Sequence, residues 1–160
     1  GGGLGGGSAD AAAVLRWAGG VSDEVAVRLG GDVPFCQRGG RARVRGIGEV
    51  VDSLDFVERR LTIFTADFGI ATKDAYAAFD ELVASGHRPE GRNHLEMAAR
   101  KVNVRMGPTL DFLRSEFGDV TLAGSGSSMF VEGWQGSNGA VVNGPAGSIY
   151  IHHVVSTPAG

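Results

Sequence analysis

The chain has 160 residues, 42% hydrophobic and 21% charged, and 27 of them are glycine, more than twice the usual share of about 7%. The glycines do not recur every third residue and aliphatic runs separate their clusters, which excludes collagen and a low-complexity linker and leaves a folded globule. Fifteen basic against 18 acidic residues give a net charge of -3, which disfavours a nucleic-acid partner, and no stretch nears the roughly 18 apolar residues of a membrane span, so the chain reads as soluble and cytoplasmic.

The sequence opens at Gly1 rather than Met, inside a glycine-rich stretch with no strand before it, and reads as a piece whose N-terminal part is missing. Gly1 to Gly7, interrupted only by Leu4, empties into Ser8-Ala9-Asp10 and an alanine-rich run that ends at Gly19-Gly20. This predicts a loop feeding a helix, with Ser8 as N-cap, Asp10 in the first turn and Gly19 closing the end. Ser22-Asp23-Glu24 starts a second short helix that stops at Leu29-Gly30. Gly30-Gly31-Asp32-Val33-Pro34 predicts irregular backbone around one carboxylate. Cys36, the single cysteine, excludes an internal disulfide and a cysteine-based zinc site and reads as a small packing group.

Arg41 to Arg45 alternates with period two and predicts a strand; Arg60 to Ala66 predicts another, with a tight turn at Gly46-Ile47-Gly48-Glu49 between them. Tyr76, Phe79, Leu82 and Val83 recur at helical spacing over Lys73 to Ser85. Asn93 is expected to cap a helix carrying Leu95, Ala98, Ala99 and Val102, and Pro108 to begin one with Leu110, Leu113 and Phe117 on one side. Val120 to Ala123 reads as a short strand entering Gly124-Ser125-Gly126-Ser127-Ser128, and Met129 to Val131 resumes it. Beyond Trp134 a glycine-rich loop and a final strand at Ile149 to Val155 are expected. This order of strands and helices implies α/β or α+β.

A glycine-rich loop that runs into a helix N-terminus can hold an anion, because unpaired amides and the helix dipole face the charge. The same run could be a flexible linker. Asp32 could be a turn residue or a catalyst, and the Gly124 to Ser128 segment a tight turn or an oxygen-rich ligand wall. Arg41, Arg43 and Arg45 share one face, either solvated or phosphate-binding. The four histidines, His87, His94, His152 and His153, show no ligand spacing. A Walker-type loop is excluded because neither lysine, Lys73 or Lys101, follows a glycine.

Gly1-Gly2-Gly3-Leu4-Gly5-Gly6-Gly7-Ser8-Ala9-Asp10-Ala11-Ala12 closely resembles the ATP-binding motif of the galactokinase, homoserine kinase, mevalonate kinase and phosphomevalonate kinase (GHMP) superfamily. Gly31-Asp32-Val33-Pro34-Phe35-Cys36, Gly39 to Val44, Gly46-Ile47-Gly48-Glu49, Gly69-Ile70-Ala71-Thr72-Lys73, Asn93-His94-Leu95-Glu96 and Ala123 to Ser128 narrow the resemblance to one branch, the kinase of non-mevalonate isoprenoid synthesis. The resemblance implies an α+β fold of two domains. Residues 1–57 would be the second half of a ribosomal-protein-S5-like, ATP-binding domain, and residues 58–160 a ferredoxin-like C-terminal domain.

It also implies transfer of a phosphoryl group from ATP, with Mg2+, to the 2-hydroxyl of diphosphocytidyl-methylerythritol, a small-molecule acceptor. Gly1, Gly2, Gly3, Leu4, Gly5, Gly6, Gly7, Ser8 and Ala9 would cradle the ATP phosphates, Asp32 would be the catalytic carboxylate, and Gly124, Ser125, Gly126 and Ser127 would complete the wall beside the substrate. The superfamily's lysine and the cytidine-binding residues belong to a motif that precedes this stretch, so the chain alone is expected to be inactive. Another small-molecule kinase of the superfamily and a non-catalytic nucleotide-binding remnant remain open alternatives.

Overall fold

Gly5 adopts a left-handed backbone, φ +67°, that turns the chain straight into helix α1 (Gly6–Trp17). In the computed structural model, which describes residues 3–158, that helix starts two residues before the predicted N-cap. Ser8 therefore lies inside the helix and makes no capping bond, and no acidic residue falls in the first turn, so Asp10 is beyond it. A glycine at positive φ can turn the chain without help from a side chain, and the first helical bond runs from the Ala9 amide to the Gly5 carbonyl at 2.9 Å. At the other end the Gly19 and Gly20 amides donate to the Arg16 and Leu15 carbonyls at 3.1 and 2.7 Å, as a glycine-terminated helix requires.

Helix α2 (Asp23–Ala26) follows Ser22 with Asp23 and Glu24 in its first turn, as expected, though it is shorter than predicted and continues as turns to Gly30. Helix α3 (Val33–Arg38) occupies a stretch predicted to be irregular. Pro34 lies in its first turn, where its missing N–H has no intrahelical partner to lose. Strand β1 (Arg41–Arg45) is as predicted, and the Gly46 to Glu49 turn joins it to β2 (Val50–Leu54), antiparallel with Arg41 opposite Leu54 and Arg45 opposite Val50. Ala12, Ala26 and Val33 form the small core of α1–α3, flanked by Ala11, Leu15, Val21 and Cys36. Gly5–Arg59, with the described residues from Val155 onward, makes one compact unit.

The other unit comprises Arg60–Val154 with Gly3 and Leu4. Its elements are β3 (Arg60–Ala66), α4 (Thr72–Ala84), α5 (Glu96–Val102), α6 (Met106–Phe117), β4 (Thr121–Leu122), β5 (Ser128–Glu132), β6 (Val141–Gly144) and β7 (Gly147–Val155). The strands form a five-stranded sheet in the order β4-β5-β3-β7-β6. β3 and β5 are antiparallel, Leu61 opposite Glu132 and Thr65 opposite Ser128, and β6 and β7 form a hairpin. Phe64, Met106, Leu110, Leu113, Val120, Leu122, Met129, Ile149 and Ile151 fill the space between sheet and helices, each large apolar side chain worth about 1.5–3 kcal/mol relative to exposure.

Several expectations shift in this unit. On α4 the buried residues are Ala75 and Ala78, while Tyr76 and Val83 of the predicted stripe face water. Asn93 precedes a turn rather than capping a helix directly, since α5 begins at Glu96 behind Leu95. α6 begins at Met106, so Pro108 is its third residue; Leu110 and Leu113 are buried as predicted. β6 stands in the stretch expected to be a loop, and no helix lies between β5 and β6 among the described residues. Among those residues no helix is long and apolar enough to cross a membrane.

Candidate phosphate loop and carboxylate

The amides of Gly6, Gly7 and Ser8 precede the first intrahelical bond of α1 and point out of its N-terminus. Gly6 and Gly7 are exposed, and a Cβ on either would meet nothing within 4 Å. Among the described residues no packing demands glycine there; the backbone is left open to an approaching group. Beside it stands Asp32, at the N-cap of α3, whose Oδ2 is 3.7 Å from where a Cβ on Gly5 would be. A Cβ on Gly30 would lie 3.6 Å from the Ser8 hydroxyl, so the Asp32 turn and the start of α1 are neighbours.

A second turn supports the one that carries Asp32. A Cβ on Gly31 would come within 2.7 Å of the Ile47 carbonyl oxygen, and one on Gly48 would run into the Gly31 carbonyl. Glu49 stiffens that turn by accepting a 2.7 Å bond from the Ile47 amide through Oε2. The string Gly46-Ile47-Gly48-Glu49 is thus a buttress for Asp32. On the α3 side the Asp32 carbonyl accepts from the Cys36 amide at 2.9 Å. Burial, and after it the negative charge of Asp32, pushes the Cys36 thiol above its ordinary range. Arg41, Arg43 and Arg45 are exposed, and Arg45 pairs with Asp52 of the adjacent strand at 2.7 Å, the solvated arrangement of the two readings.

In the other unit the Ala123 to Ser128 loop folds on itself: the Ala123 amide donates to the Ser128 carbonyl and the Gly126 amide to the Ala123 carbonyl, each at 2.9 Å. Gly124 and Gly126 take positive φ, +53° and +90°. Ser125 and Ser127 are buried, each 5% exposed, with their hydroxyls in use. Ser125 Oγ is 3.0 Å from Thr72 Oγ1, and the Ser127 hydroxyl donates to the Phe68 carbonyl. Gly3 lies against this loop backbone to backbone: a Cβ on Gly3 would collide with the Ala123 carbonyl, and one on Gly124 would approach the Gly3 carbonyl oxygen to 2.7 Å.

The structure therefore groups Gly5 to Ser8 with Asp32, and Gly3 with Gly124 and Gly126. Leu4 is exposed beside Gly3, and Ala9 is exposed on α1. Gly1 and Gly2 lie outside the described residues. Among those described, no three His, Cys, Asp or Glu side chains gather to hold a metal ion. The sequence suggests a helix cap for Asn93 and places it in the Asn93-His94-Leu95-Glu96 string. Its amide in fact donates to the Leu122 carbonyl at 2.8 Å and the Gly124 carbonyl at 2.7 Å, contacts that no local pattern announces.

No protein-family model matches the chain. Among curated proteins it is similar to 4-diphosphocytidyl-2-C-methyl-D-erythritol kinase of Clostridium tetani, 36% identical in an alignment that covers 62% of this chain and 42% of that one. The Bifidobacterium adolescentis enzyme of that name is 35% identical over 79% of this chain and 47% of its own. The Clostridium botulinum (strain Langeland) enzyme is 32% identical over 80% of this chain and 56% of its own. A crystal structure of 4-(cytidine 5'-diphospho)-2C-methyl-D-erythritol kinase superposes with a TM-score of 0.64 at 26% identity, covering 98% of this chain and 67% of that chain. The chain spans about half the length of the curated relatives it matches. By fold and by sequence it is similar to the 4-diphosphocytidyl-2-C-methyl-D-erythritol kinases.

Proposed function

We propose that the protein to which this chain belongs phosphorylates the 2-hydroxyl of 4-diphosphocytidyl-2-C-methyl-D-erythritol with ATP, a cytoplasmic step of isoprenoid precursor synthesis. Residues 1–57 would be the second half of its ATP-binding domain and residues 58–160 its ferredoxin-like C-terminal domain; the division between Arg59 and Arg60 supports that reading. The observation that carries the proposal is the open N-terminus of α1 with the Asp32 carboxylate beside it.

Phosphate oxygens fit this place, because Gly6 and Gly7 present amides with no side chain above them. Phosphoryl transfer passes through a loose transition state, so holding the reactants in line and stabilising charge make up most of catalysis. The amides of Gly6, Gly7 and Ser8 would hold phosphate oxygens, and the dipole of α1 favours the charge that gathers there. Asp32 would accept a hydrogen bond from the acceptor hydroxyl and take its proton as the new O–P bond forms and the bond to the departing ADP breaks. Mg2+ keeps few protein ligands beside substrate phosphates, so the Ser8 hydroxyl at the start of α1 is the group here that would hold it, and when bound it would neutralise charge on the transferring phosphoryl group.

The test is ADP release by the full-length gene product, offered diphosphocytidyl-methylerythritol and, separately, homoserine and mevalonate. Turnover with the cytidine-linked acceptor alone is expected, and none from residues 1–160 by themselves. Preference for another acceptor overturns the substrate, and ATP binding without turnover on any acceptor overturns the kinase.

A further inference from the structure

β4 ends the five-stranded sheet and, among the described residues, pairs on one side only, with β5. Its free edge would present unpaired carbonyls, since alternate carbonyls of a strand point the same way. Three of them, at Val120, Leu122 and Gly124, are met by side chains instead of by another strand. Arg114 Nε donates to the Val120 carbonyl at 2.9 Å. Asn93 Nδ2 spends its two hydrogens on the Leu122 and Gly124 carbonyls, at 2.8 and 2.7 Å.

Both donors are held in turn by residues of the Asn93-His94-Leu95-Glu96 string. Asn93 Oδ1 accepts from the Leu95 amide at 2.8 Å, which fixes the orientation of its amide group. Glu96 grips Arg114 with both oxygens, Oε1 to Nη1 at 2.9 Å and Oε2 to Nη2 at 2.8 Å, a bidentate geometry that leaves the guanidinium one orientation. The last carbonyl of the row belongs to Gly124, whose backbone is in contact with Gly3.

We infer that this string acts as a surrogate strand on the β4 edge, and that Asn93 is a positioning residue that sets the Gly124 to Ser127 loop against Gly3 and so fixes the start of the phosphate-binding loop. The last part rests on the kinase reading; the positioning itself does not. Asn93 bonds the backbone at Leu122 and Gly124. It acts through Gly124 and Gly3, from which the chain runs directly into Gly5 and the open amides of α1.

The experiment uses the full-length protein and Asn93→Asp, which keeps the acceptor for the Leu95 amide and loses both donors. Amide exchange across Gly124 to Ser127 should quicken and KM for ATP should rise, each by roughly tenfold, and the thermal midpoint should fall, while KM for the acceptor changes little. A merely structural residue would lower the midpoint as well but leave the two KM values in proportion. If the aspartate variant does not fold, Asn93→Ser, which retains a capping oxygen but cannot reach both carbonyls, is read the same way. Unchanged exchange overturns the positioning, and faster exchange with unchanged KM for ATP overturns its link to nucleotide. If the unsubstituted protein shows no turnover, the kinase reading fails separately, and exchange alone decides whether Asn93 positions the loop.

Discussion

A carboxylate that orients a hydroxyl for attack has to be held by its backbone, because an exposed aspartate samples several rotamers. At Asp32 the holding is done by glycines that leave no room for movement: Gly31 against the Ile47 carbonyl, and Gly48 against Gly31. The first turn of α3 grips the other side through the Cys36 amide. Asp32→Asn leaves this framework intact and removes only the proton acceptor and its charge. In the full-length protein kcat should fall by about two or more orders of magnitude, roughly 3 kcal/mol of transition-state stabilisation, with KM for ATP little changed. Steady-state ADP release measures both. A kcat within a few-fold of the unsubstituted protein would take Asp32 out of the reaction.

Among the elements, β1 and β3 were readable as strands and the inward face of α6 follows its hydrophobic pattern. β2 was not, because every residue but Val51 is exposed and nothing in Val50 to Leu54 alternates. α3 hid behind Pro34, which reads as a turn until its place in a first helical turn is known. The two loops of the candidate site were flagged by glycine density and Asp32 by its neighbours, whereas the role of Asn93 depends on carbonyls 29 and 31 residues away. The Glu96 cluster joins one local pair, Arg100 with Glu96 a helical turn away, to two distant contacts: Arg100 reaches Asp111, and Arg114 reaches Glu96.

Burial of Glu96 would raise its carboxyl, but the hydrogen bonds and charges of Arg114 and Arg100 outweigh that and hold it below the ordinary carboxylate range. The hydrogen bond from Arg100 likewise lowers Asp111. A carboxyl lowered in the folded state contributes stability that is present above its unfolded pKa of about 4 and is lost as pH falls through the folded value. The thermal midpoint should therefore decline on acidification below about pH 4.5. Glu96→Gln should melt lower at pH 7, and its gap from the parent chain should narrow as the pH falls toward 3. A gap independent of pH would show that the carboxylate charge at position 96 is not what holds α5 to α6.

Across the whole chain the apolar side chains are unevenly invested. Arg60–Val154 buries Phe64, Met106, Leu110, Leu113, Met129, Ile149 and Ile151, whereas the cluster within Gly5–Arg59 consists of two alanines and Val33. α1 leaves Trp17 at 89% and Val14 at 63% exposure. Burial of a large aliphatic or aromatic side chain contributes about 1.5–3 kcal/mol and an alanine much less, so opening α1 to α3 exposes little and opening the five-stranded sheet exposes most of the core. Local opening follows that cost. In native-state hydrogen exchange on this chain, the central amides of α6, β3 and β5 should be the slowest, and those in the middle of α1 should exchange at least tenfold faster, a difference of roughly 1.4 kcal/mol or more in opening free energy. Leu113→Ala, which empties a site in the larger core and costs about 2–5 kcal/mol, should bring the α6 and β5 amides down toward the α1 level. Protection of α1 equal to that of α6 in the unsubstituted chain would mean that stability does not follow the buried side chains, and that the open end of α1 is held rigid by something other than its own core.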